Sequence, residues 1–272
     1  MEITSKLVSF IDREHDYLVQ AFDVGNLFEF LDALQQYSPE AKKAVDFFLL
    51  NFIPMIAYLK AGEHLGIYID SSDPNLFFKL EANSSGQFRA MLLPANFHTE
   101  LLSISGRCRI NKYSPGNPEP YISHIELSHH DLTQICSSVL KLSYQTEARV
   151  LVDPAKRYSL LVSKIPGTKI DKIETKEAIS LDAYLEKRQD VLQKLTVIKL
   201  DGSTSLGLSY VSARNILFRC NCSREQFLPA LKNIYKQDGE ALFEKNVITI
   251  TCDYCKSIYK ITREDVQNFQ AH

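Results

Sequence analysis

Apolar and polar positions change rhythm several times along the chain. From Ala44 to Leu59 nearly every residue is apolar, which predicts a helix buried on all sides. Ser38 followed by Pro39 marks its start: a hydroxyl cap, then a proline whose missing N–H costs nothing in the first turn. Pro54 lies inside the run and should kink or divide it. Residues 1–60 as a whole read as mainly helical. Beyond residue 64 the apolar runs shorten and gain turn residues at their ends. Leu65–Ile69, Leu76–Leu80 and Phe88–Leu92, bounded by Asp73-Pro74 and Ser85-Gly86, read as strands. Ser114–Pro118 is a loop. Ser128, with Asp131 three residues on, reads as a capping box that opens a helix. Ala148–Val152 and Tyr158–Val162 are strands again.

After Pro166 the rhythm becomes polar. Lys169, Asp171, Lys172, Glu174, Lys176 and Glu177 mix charges. Ser180 then caps a helix with Leu181, Tyr184, Leu185, Val191, Leu192 and Leu195 on one face and Glu186, Lys187, Asp190 and Lys194 opposite. Such a face must lie on something. Asp201–Ser205 is a flexible break. In the last segment, Ser223 and Gln226 read as a capping box, and Pro229 suggests that the helix restarts there. Val247–Thr251 alternates as a strand, Ile258–Ile261 returns, and Thr262 with Asp265 caps a final helix. The pattern implies an α+β protein in three parts. Residues 1–167 form a large sheet-and-helix domain, 168–215 an amphipathic helical linker, and 216–272 a small module.

Composition narrows this little. The chain has 272 residues, 45% of them hydrophobic, with a formal net charge of -2. That supports a proper core and gives no sign of a strongly basic nucleic-acid surface. The apolar stretch Leu7–Ile11 is too short for a signal peptide. The Phe47–Leu59 run falls short of the roughly 20 residues that span a bilayer. The expectation is a soluble cytoplasmic protein without a membrane partner. In a reducing compartment, close cysteine pairs are metal ligands or redox centres rather than permanent disulfides.

Two such pairs exist: Cys220-Asn221-Cys222 and Cys252-Asp253-Tyr254-Cys255. Residues two apart on an extended segment face the same way, and a CxxC turn is the usual knuckle for two further ligands. Four thiolates would close a tetrahedral site around one structural Zn2+, with no open position for substrate. A thioredoxin-like catalyst is disfavoured, because its reactive cysteine opens a helix whereas Lys256–Ile261 reads as strand. Thiolates are also what oxidants attack. A disulfide needs its two Cα atoms about 5.5 Å apart, which Cys252–Cys255 meets more easily than Cys220–Cys222. The expected order of oxidation is therefore Cys252–Cys255 first, then Cys220–Cys222. A module this small has little core without its metal.

These residues resemble the thirty-three-kilodalton heat-shock protein family, the redox-regulated holdase chaperones. The likeness rests on Phe218-Arg219-Cys220-Asn221-Cys222-Ser223-Arg224-Glu225, on Cys252-Asp253-Tyr254-Cys255 and on Arg263-Glu264-Asp265. More loosely, it rests on Lys60-Ala61-Gly62 and Gly86-Gln87-Phe88-Arg89-Ala90. Two places depart from the family pattern. Arg157 and Tyr158 stand where a Gly-Gly is common, and Lys256 where a glycine often follows the second pair. The resemblance implies a zinc-loaded resting state in which the linker covers apolar surface. Oxidation to Cys220–Cys222 and Cys252–Cys255 then expels zinc, melts the module and uncovers a surface that binds unfolding client proteins without ATP. It also implies a homodimer on activation, and a chaperone rather than an enzyme.

The remaining candidates have plainer readings. Cys108 and Cys136 stand alone and read as small buried hydrophobes. His129-His130 reads as a polar patch at a helix start, since helix neighbours point apart. No glycine-rich phosphate loop is present. The rival from another class is a constitutive zinc-ribbon adaptor binding nucleic acid or protein through Arg214, Arg219, Arg224, Lys232 and neighbouring cations. Nearby acids almost balance these charges.

Overall fold

The computed structural model describes residues 5–155, 157–165, 179–196, 206–243 and 246–269. They form two compact units, Met1–Phe218 and Arg219–His272.

The first unit opens with two strands, β1 (Lys6–Asp12) and β2 (Tyr17–Asp23). This corrects the helical reading of residues 1–60. The reason is burial on both faces: along β1 and β2 almost every residue is buried, so the period-2 alternation that betrays a strand is missing. Helices α1 (Leu27–Gln35) and α2 (Pro39–Phe52) follow. Ser38 caps α2, its hydroxyl accepting from the Ala41 amide. The α2 helix gives way at Pro54 to a 3-10 turn, Ile53–Tyr58, as the missing donor of a proline demands.

Next come β3 (His64–Asp73), β4 (Asn75–Asn83), β5 (Gln87–Leu93), β6 (Ser103–Tyr113) and β7 (Tyr121–Asp131). Ser128–Asp131 belong to β7, paired with β6, and helix α3 begins only at Leu132 and runs to Tyr144. The expected cap is thus overridden by the ladder with β6; the side chains of residues 129–134 lie outside those described. Strands β8 (Ala148–Asp153) and β9 (Tyr158–Lys164) are followed by α4 (Leu181–Lys187) and α5 (Gln189–Leu195). The unit ends with β10 (Ser209–Asn215) and β11 (Leu217–Phe218). The charged run 169–177 and the break at Asp201–Ser205 lie outside the described residues.

The strands make two sheets, in the orders β10-β1-β2-β9-β8 and β11-β5-β4-β3-β6-β7. A main core gathers α1, α2, the 3-10 turn, α3 and the inner side of the six-stranded sheet, with Phe48 stacked on Phe78 at 4.6 Å between centroids. The five-stranded sheet also buries its other face. There Val8, Phe10, Tyr17, Val19, Leu160 and Val162 meet Leu181, Tyr184, Leu192 and Leu195 of α4 and α5. Ser180 caps α4 through the Ala183 amide, and Glu186, Lys187, Asp190 and Lys194 are exposed, so the two-faced pattern is realised. The helix is broken at Arg188.

The second unit holds α6 (Arg224–Asp238), a 3-10 turn (Gly239–Phe243), the hairpin β12 (Val247–Thr251) with β13 (Ile258–Thr262), and α7 (Arg263–Asn268). The α6 helix runs unbroken through Pro229. Ser223 is its N-cap but makes no side-chain cap bond. Thr262 and Asp265 form the expected capping box of α7. The fully apolar core is small: Leu228, Leu231, Phe243, Ile261 and Val266.

Candidate metal centre

The second unit brings its four cysteines to one place. Cys220 and Cys222 lie on the irregular segment just before α6. Cys252 follows β12, and a turn carries the chain to Cys255, closed by the Lys256 amide donating to the Cys252 carbonyl at 2.8 Å. The Cys252 amide donates to the Ser257 carbonyl at 2.9 Å. The Sγ atoms of Cys220 and Cys252 are 3.7 Å apart, those of Cys222 and Cys255 3.2 Å, and all four lie within 4.8 Å of one another.

All four thiols are free. Thiolates about 2.3 Å from a tetrahedral ion sit roughly 3.8 Å from each other, whereas a disulfide needs about 2.05 Å. The spacing is that of a ligand set, and the four cysteines can hold a metal ion. A strand, not a helix, follows Cys255.

The neighbours tune the thiols unequally. Desolvation pushes the Cys255 thiol up, but the Ser257 hydroxyl at 3.2 Å, the Ser257 backbone and the thiols of Cys222 and Cys220 outweigh it and bring it to about 6. Desolvation dominates at Cys222 and takes it to about 12, against the Tyr259 hydroxyl, which pulls the other way. Cys252 is raised as well, first by desolvation.

Tyr259 was not singled out in the sequence, yet its hydroxyl lies 3.1 Å from Cys222 Sγ and donates to the Cys222 carbonyl at 3.0 Å. Its ring leans on Phe227 of α6, centroids 5.3 Å apart. The one signal was a tyrosine on the strand directly after a ligand turn. Arg224 pairs with Asp265, joining the first turns of α6 and α7.

The other candidates separate from this site. Cys108 and Cys136 are fully buried in the first unit. Burial pushes both thiols up, Cys108 to about 12 and Cys136 further with Cys108 nearby; they are packing residues. His129 and His130 lie on β7 rather than at a helix start. Asp12, Glu14 and His15 also converge, but an arginine already faces the Asp12 carboxylate, with Arg188 Nε 3.0 Å from Oδ2.

A family model described as Hsp33 protein matches residues 5–262. The chain belongs to the Hsp33 family. Hsp33 relatives include the 33 kDa chaperonin of Thermosipho melanesiensis, 24% identical over 255 residues, covering 85% of this chain and 86% of the relative. Another is the 33 kDa chaperonin of Pseudoalteromonas translucida, 22% identical over 284 residues, covering 94% and 98%. The crystal structure of the 33 kDa chaperonin (Hsp33 homologue) from Thermotoga maritima superposes with a TM-score of 0.71 over 98% of this chain and 97% of that one, at 16% identity.

This is a chaperone family. Two of the positions where the resemblance implies glycine lie in the left-handed region that glycine enters most easily: Arg157 has φ 52° and Lys256 φ 57°. Arg157 is held there by Glu29 and Asp32, each 3.8 Å away, and by the Phe28 ring.

Proposed function

We propose that this protein is a redox-regulated, ATP-independent holdase that binds unfolding proteins under oxidative stress. Cys220, Cys222, Cys252 and Cys255 hold one structural Zn2+ in the resting state. The observation that carries this reading is the convergence of four free thiols in a unit whose described residues form only a small apolar core around Leu228, Leu231, Phe243, Ile261 and Val266. Bound zinc would supply a cross-link worth about 10 kcal/mol or more to such a unit.

Cys252 and Cys255 oxidise first, then Cys220 and Cys222. In each step two thiolates form one S–S bond and surrender two electrons; a peroxide accepts them with two protons and leaves as two waters. Four ligands are thereby lost, and the unit cannot persist on its core alone.

The segment 168–215 then acts as a linker between the chaperone domain, 1–167, and the redox module, 216–272. In the resting state its apolar stripe covers the outer face of the five-stranded sheet. Released, both surfaces become available to apolar segments of unfolded clients, and the active form dimerises. The protein works in the cytoplasm as a binding protein, not a catalyst.

The direct assay is light scattering of a heat-denatured client without nucleotide. Peroxide-treated protein should suppress aggregation and the reduced, zinc-loaded protein should not. Equal behaviour of the two, with nucleic-acid binding that falls steeply with salt, would instead favour a constitutive zinc-ribbon adaptor.

A further inference from the structure

The contact between the linker helices and the five-stranded sheet is not purely apolar. Arg188 falls on the same stripe as Leu181, Tyr184, Leu192 and Leu195, at the point where α4 ends and α5 begins. Its partner is Asp12, at the end of β1, which is 0% exposed. Arg188 Nε lies 3.0 Å from Asp12 Oδ2, and the Tyr184 hydroxyl donates to the same oxygen at 3.2 Å. Asp12 Oδ1 accepts from the amides of Glu14 and His15 and lies 3.1 Å from the His15 ring nitrogen. A second arm of the guanidinium donates to the Leu206 carbonyl at 3.3 Å, on the chain that leads into β10. Tyr17 stacks on Tyr184 with centroids 4.0 Å apart. One cation therefore ties the helix pair, the following strand and the β1–β2 hairpin together.

The geometry points to the Asp12–Arg188 pair as an autoinhibitory pin that holds the linker down independently of the metal. This rests on the reading of 168–215 as a covering linker. An apolar stripe alone is adhesive in any register, whereas a buried ion pair is satisfied in one position. Such a pair adds little net stability over an apolar replacement, but removing one partner leaves a buried charge uncompensated and is strongly destabilising. The pin thus fixes where the linker lies without holding it irreversibly.

The test uses the full chain, reduced and zinc-loaded. Arg188→Met should speed amide exchange over 181–195 on the order of a hundredfold, the loss expected for a broken buried pair, with zinc content unchanged. It should also suppress client aggregation without oxidant. Tyr184→Phe should act in the same direction but more weakly. Adding Asp12→Asn to Arg188→Met removes the stranded charge while keeping an acceptor for the hairpin amides. This double variant should return exchange toward that of the unaltered protein and restore inactivity. Unchanged exchange in Arg188→Met overturns the pin. Faster exchange with a client that still aggregates also overturns it, because the contact would then not be inhibitory. Peroxide-treated unaltered protein, run in parallel, tests the switch separately: if it stays inactive while Arg188→Met is active, the redox reading fails and the pin stands.

Discussion

At the scale of single residues, the four cysteines are not equivalent. Cys255 has the Ser257 hydroxyl and backbone beside it, while Cys222 is desolvated and meets Tyr259. The thiolate is the reactive form, and the shifts run toward it at Cys255 and away from it at Cys222. In reduced, zinc-loaded protein at pH 7, where the turn and hairpin are folded, brief alkylation followed by peptide mass spectrometry should label Cys255 ahead of Cys222. Preferential labelling of Cys222 would contradict the assignment and, with it, the expectation that the Cys252–Cys255 pair oxidises first. The convergence of the four cysteines was legible because spacing brings the two cysteines of each pair to one side. Their unequal acidity was not, because it depends on Ser257 and Tyr259 reaching back across the turn and hairpin.

At the scale of elements, what the sequence showed depended on whether an element has one buried face or two. Helices α4 and α5 have one, and their stripe of Leu181, Tyr184, Leu192 and Leu195 could be placed from periodicity. Strands β1 and β2 have two, so their runs of apolar residues look the same in a helix as in a strand. In β7, Ser128 and Asp131 match a capping box locally, but pairing with β6 outweighs one cap. In α6, Pro229 forfeits a single backbone bond and packing carries the helix past it. Helix α2 carries its own liability. Desolvation, helped by Asp32 and opposed by Lys42 and Arg157, pushes the Asp46 carboxyl up to about 7. A carboxyl whose folded pKa is raised contributes stability that is complete below its unfolded pKa, about 4, and is lost as pH rises through about 7. Asp46→Asn should therefore stabilise the first unit by about 1–2 kcal/mol at pH 8, after allowing for solvent screening of a half-buried group, and by little at pH 4. Thermal melts at the two pH values check this; an equal gain at both would show that burial of the charge is not the cause.

At the scale of the whole molecule, the two units differ in what sustains them. The first has two extensive apolar cores. The second has, among its described residues, one small apolar cluster around Leu228, Leu231, Phe243, Ile261 and Val266, and a thiol cluster. A perturbation confined to the cysteines should therefore melt residues 219–269 and leave the sheets of the first unit standing. Under the proposed function, this asymmetry is what lets one chain be both a sensor and a stable binding platform. The measurement that tests it most directly follows zinc release and client aggregation in one peroxide time course, with a chromogenic chelator and light scattering read together. Suppression of aggregation should rise with zinc release, near one ion per chain, and far-ultraviolet circular dichroism should lose only the share of signal belonging to the second unit. Zinc that stays bound while the client is protected, or zinc that leaves without any protection, would contradict the account.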